Sequence, residues 1–110
     1  MDSCRQLWVN YKVLTMRDVM QNVVDNGALL SMKRLRNCKA WVYCFADAQG
    51  RKYYILRSSS TFVAGITPIG TALDWSRYVY CDMATTAKHI AKFFNDYAPK
   101  DGLMFRYYPL

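Results

Sequence analysis

Glutamate is absent from this chain: all eight acidic residues are aspartate, and His89 is the single histidine. Acid–base catalysis relies on histidines and on carboxylate pairs of tuned pKa, so this inventory argues against an enzyme. Long apolar runs are missing too. The longest, residues 40–46, falls far short of the ~20 residues that a membrane span needs. Met1-Asp2-Ser3-Cys4-Arg5 leads into no secretory apolar region, so the chain is expected in the cytoplasm, without a membrane. Proline and glycine are sparse, at three and five, and 53% of the 110 residues are hydrophobic. That composition excludes disorder and suits one domain spanning residues 1–110.

Cysteine is present but poorly spaced for cross-linking or metal. Cys4, Cys38, Cys44 and Cys81 stand beside six methionines and no N-glycosylation sequon, the company of buried thiols in an apolar core. Zinc knuckles bring ligands in close pairs, whereas five residues separate Cys38 from Cys44 and seven separate Cys81 from His89. No metal or other cofactor is expected. Cys81 before a helix start, with His89 two turns on, is the nearest approach to a nucleophile and its base. Eight residues of helix, however, separate them by ~12 Å of rise, beyond hydrogen-bond reach.

The periodicities predict an α+β domain, a single antiparallel sheet packed by two helices. Leu7, Val9, Tyr11 and Val13 alternate with polar or amphipathic neighbours and read as a strand. Thr15 and Asp18 then form a capping box for a helix whose stripe is Met16, Val19, Met20, Val23 and Val24. Asn26-Gly27 supplies a left-handed stop. Residues 28–37 fit neither period. Residues 40–46 and 52–57 form a hairpin across Asp47-Ala48-Gln49-Gly50, pairing Phe45 with Tyr53 and Tyr43 with Ile55. Further strands are expected over 61–66, 75–80 and 103–108. A second helix is capped by Asp82 or Thr85 and ends before Pro99, with Thr86, Ile90, Phe93, Phe94 and Tyr97 inward.

What the chain has in excess is positive charge, and that excess is local. Residues 33–57 hold Lys33, Arg34, Arg36, Lys39, Arg51, Lys52 and Arg57 against Asp47 alone, six of the seven net charges. The rest of the chain is nearly balanced, eight basic residues against seven acidic ones. The same hairpin carries Trp41, Tyr43, Phe45, Tyr53 and Tyr54. Cations that neutralise phosphates beside rings that stack on bases are the equipment of single-strand binding. A core face of aromatics and an edge strand guarded by charge produce the same pattern. The hairpin also lacks the second glycine of the RNA-sheet consensus after Gly50-Arg51-Lys52-Tyr53.

Leu56-Arg57-Ser58-Ser59-Ser60-Thr61-Phe62-Val63-Ala64, then Tyr78-Val79-Tyr80 and Thr85-Thr86-Ala87-Lys88-His89-Ile90 with Phe93, resembles a group of small bacteriophage and prophage proteins. In that group a strand of the form L-x-S-Y-x-T-x-V-A precedes a helix beginning T-T-x-K-H-I-x-x-F. This chain differs in having Ser59 at the group's aromatic position and a longer connection over residues 67–74. The resemblance implies a phage setting, in which small non-enzymatic proteins bind host machinery or nucleic acid. Anti-CRISPR and other anti-defence inhibitors of host nucleases belong to this category. The expected partner is a host protein or nucleoprotein, such as a CRISPR effector. The alternatives are direct binding of single-stranded DNA or RNA, and self-association through an exposed strand. Candidate contact residues are Lys33, Arg34, Arg36, Lys39, Arg51, Lys52 and Arg57, with Lys88 and His89 expected on the flank of the second helix.

Overall fold

A computed structural model describes residues 2–79 and 81–106, with side chains described from Arg5 onward. The elements are α1 (Asp2–Asn26), β1 (Ala28–Arg34), β2 (Ala40–Ala46), β3 (Lys52–Ser58), β4 (Thr61–Ile66), β5 (Ala72–Asp74), α2 (Met83–Tyr97) and β6 (Met104–Arg106). The six strands form one sheet in sequence order, antiparallel from β1 to β5, with β6 parallel to β5. The class is α+β, as expected, with the parallel last pair as the departure. The Cα radius of gyration is 13.4 Å. No described helix is long and apolar enough to cross a membrane.

The two helices cover opposite faces. Alternate residues of β2 and β3 divide between two cores: Val42 and Leu56 pack with Ile90, Phe93 and Phe94 of α2, whereas Phe45, Tyr53 and Ile55 pack with Val13, Met20 and Val23 of α1. The hairpin register is as expected, Phe45 opposite Tyr53 and Tyr43 opposite Ile55. Its turn places Gly50 at φ +79°, with the Gly50 N–H donating to the Asp47 carbonyl at 2.9 Å, the left-handed position that glycine adopts without steric cost.

Three local expectations fail at the N-terminal helix. Residues 7–13 are helical, not a strand, and α1 runs unbroken through Thr15. Thr15 caps nothing; its hydroxyl donates back to the Tyr11 carbonyl at 2.7 Å within the helix. Val9, Val13, Met16, Met20 and Val23 form the inner stripe, a 4-3-4-3 spacing that alternation over residues 7–13 obscured. Gly27 is absent from the positive-φ glycines, so it is no left-handed stop. It is needed for close approach instead, because a Cβ there would lie 2.5 Å from the Val23 carbonyl oxygen and 2.6 Å from that of Ala46.

The strand expected over 75–80 lies earlier, at β5, and Trp75 begins a turn in which the Tyr78 N–H donates to its carbonyl. The buried Asp74 carboxylate forces this, since its Oδ1 accepts from both the N–H and the hydroxyl of Ser76. Tyr80 lies outside the described residues, as do Tyr107 and Tyr108 of the expected last strand. Residues 28–37, which fit neither period in the sequence, supply edge strand β1 and a turn holding Asn37 at φ 58°. Asp82 is the N-cap of α2, its carboxylate accepting from the Thr85 N–H at 3.3 Å.

Candidate nucleic-acid interface

Helix α1 crosses the sheet from β6, where Trp8 meets Phe105 at 5.7 Å between ring centroids, to the β2 end at Ala46. The opposite corner of that face holds a row running straight across four strands. Arg34 on β1 lies opposite Trp41 on β2, Trp41 opposite Arg57 on β3, and Arg57 opposite Phe62 on β4. Directly opposed residues of antiparallel strands project to the same side. Trp41, Arg57 and Phe62 are half-buried, and Arg34 is exposed.

Arg57 is the centre of this corner. Its guanidinium carbon lies 4.9 Å from the Trp41 ring centroid and 5.4 Å from that of Tyr43. Tyr43 in turn meets Phe62 edge-on at 5.3 Å and stacks on Phe45 at 6.1 Å. Cation–π contacts fix the arginine without neutralising it. Among the described residues no carboxylate pairs with Arg57, and its buried Nε has no hydrogen-bond acceptor. A buried N–H left without an acceptor costs about 1–3 kcal/mol, so an arginine kept this way calls for a reason beyond packing. Arg34 is held at the rim by its Nε–H bond to the Cys38 carbonyl at 2.8 Å. Lys39 enters β2 beside the β3–β4 turn, its carbonyl accepting from the Ser59 N–H.

The remaining basic residues of 33–57 are dispersed. Arg51 is at the far end of the hairpin, locked to the Asp47 carboxylate at 2.7 Å. Burial raises that carboxyl's pKa, but hydrogen bonds from Arg51 and the Gln49 N–H outweigh it and hold Asp47 below its ordinary value. Arg36 reaches Asp96 on α2 at 3.3 Å. Lys33 and Lys52 lie on the α2 side, around a cleft with Tyr54 and Tyr97. The charge cluster seen in the sequence is therefore two groups on two faces, plus two arginines already paired.

Lys88 is exposed on α2, but His89 is not the exposed flank residue that was expected. It is 6% exposed, and its Nδ1 lies 2.7 Å from the hydroxyl of Ser58, which is itself 3.4 Å from that of Thr86. The two segments that carry the phage-protein resemblance thus meet through Ser58 and His89. Of the hairpin aromatics, Phe45 and Tyr53 are spent on the α1 core and Tyr54 on the α2 side, against Tyr97. Phe62 was missed. The bulge between Leu56 and Arg57 in the β3–β4 register brings it opposite Arg57, and simple alternation does not show that. Compared with family models, curated proteins and solved structures, the chain matches none.

Proposed function

We propose that this protein is a non-enzymatic binder acting on a protein–nucleic acid system, and that it holds a single strand of nucleic acid on the Arg34–Trp41–Arg57–Phe62 row. The observation that carries this reading is Arg57: a cation held over the half-buried Trp41 and Tyr43 rings, with no carboxylate partner among the described residues and a buried Nε that has no acceptor. Strands lie ~4.8 Å apart, so the row spans roughly 15 Å and suits two or three nucleotides, their bases stacked on the rings and their phosphates beside Arg34 and Arg57. Contact of this kind tolerates any base. An anti-defence inhibitor would use it on a nuclease's guide or target strand, a role for which the support is the resemblance to phage proteins.

Fluorescence anisotropy with labelled oligothymidylate and oligouridylate of about twelve nucleotides tests this. Trp41→Ala should weaken binding by 1–3 kcal/mol, roughly five- to 150-fold, and Arg57→Gln by a similar amount. Arg51→Gln, which removes an equal charge already paired with Asp47, should leave affinity unchanged. Absence of binding at low salt, or equal losses in all three variants, would refute the proposal.

A further inference from the structure

Strand β1 is one edge of the sheet, and six of its seven residues are exposed. Leu29, Leu30 and Met32 keep 54%, 51% and 53% of their surface in water. An edge of this kind presents a row of unpaired backbone N–H and C=O groups, a template for one more strand. Beside it, on the α2 face, lies a cleft of about 220 Å³ lined by Leu30, Ser31, Lys33, Lys52, Tyr54 and Tyr97. Neither lysine has a carboxylate partner among the described residues.

We infer that β1 receives an extended, acidic segment of a partner protein as a seventh strand, with one acidic side chain seated in the cleft between Lys33 and Lys52. Backbone pairing gives such strand addition its affinity, and side-chain pockets at alternate positions give it selectivity. Charge decides the occupant. A second copy would set two edges flanked by Lys33, Arg34, Lys39 and Lys52 against each other, within about one Debye length. An acidic strand turns the same cations from an obstacle into contacts. This surface shares only Arg34, the last residue of β1, with the Arg57 platform, its cleft lies on the opposite, α2 face, and it does not rest on the nucleic-acid reading.

The test uses a labelled peptide of about nine residues alternating valine and aspartate, with anisotropy and amide hydrogen exchange as readouts. Saturable binding that slows exchange in β1, is weakened about tenfold or more by Lys33→Glu with Lys52→Glu, and survives Trp41→Ala would support the inference. The same peptide N-methylated at alternate amides should bind at least about tenfold more weakly, since it cannot complete the ladder. The inference is overturned by no saturable binding, by equal binding of the N-methylated peptide, or by displacement with oligothymidylate. A concentration-dependent dimer in sedimentation velocity, with β1 protected in the free protein, would overturn it in favour of a second copy.

Discussion

At the scale of single residues, Ser58 and His89 join the β3–β4 turn to α2 through a buried 2.7 Å contact. Ser58→Ala leaves the His89 ring without this partner, and a buried polar atom so orphaned costs about 1–3 kcal/mol. The midpoint of thermal unfolding should fall by about 4–8 °C for each kcal/mol. Adding His89→Leu to that variant removes the orphaned group and should restore part of the loss, which a double-mutant cycle in urea would measure. His89 also predicts a pH response. Burial, with the Lys92 ammonium nearby, holds its pKa below the ordinary 6.5. The unfolded chain therefore takes up this proton first as pH falls. The contribution of neutral His89 is whole above about pH 6.5 and is lost progressively below it, down to the folded value. His89→Leu should flatten that part of the stability difference between about pH 7.5 and pH 5; an unchanged slope would show that the ring titrates alike in both states. Ser59 offers a gain instead. It holds φ at 57° without being glycine, a conformation costing an L-residue about 1–2 kcal/mol. After glycine's own entropic cost, Ser59→Gly should stabilise by about 0.5–1 kcal/mol, again read from urea unfolding.

At the scale of elements, legibility followed how closely one local pattern matched one structure. The hairpin was readable to its pairs because a turn with glycine at its end and two apolar runs admit one register. Helix α2 was readable because its capping aspartate and inward stripe coincide. Helix α1 was not. Leu7 and Tyr11, half of the apparent alternation, are exposed in the folded chain, while the inner stripe passes through Val9 and Val13. Periodicity counts apolar residues without knowing which of them the tertiary structure buries. Strand β1 was illegible for the complementary reason: an edge exposed on nearly every residue has no buried face to impose a period of two. Of the candidate site, the cations and rings could be listed from the sequence, but their division between faces came from the register and its bulges. The junction of α1 and β1 yields an element-scale prediction. At Gly27 a methyl group would press on two backbone oxygens rather than on a yielding side chain. Gly27→Ala should therefore cost about 1–3 kcal/mol and show as a lower urea midpoint with unchanged m-value.

At the scale of the whole molecule, the question is how a net charge of +7 reaches a ligand. Binding to a single strand releases counterions in proportion to the phosphates neutralised, with a slope of about −0.7 per contact in log affinity against log salt. Were all seven basic residues of 33–57 to act together, the slope would be about −5, and affinity would fall about a thousandfold between 50 and 200 mM salt. The fold does not permit that sum. Arg36 and Arg51 already face Asp96 and Asp47, and Lys33 and Lys52 lie around the cleft on the α2 side. Arg34, Lys39 and Arg57 remain for the platform, so the expected slope is about −2 and the loss over the same salt range about twentyfold. Charge reversal separates the two arrangements. Lys33→Glu with Lys52→Glu should lower affinity for oligothymidylate only through the long-range field, leaving the slope near −2. Arg34→Gln with Arg57→Gln should bring the slope to about −0.7, the value of a single remaining contact. A wild-type slope near −5, or one that the α2-side reversal reduces as much as the platform pair, would mean that the strand wraps both faces. The basic segment would then act as one electrostatic surface, and Arg57 would have no special place in it.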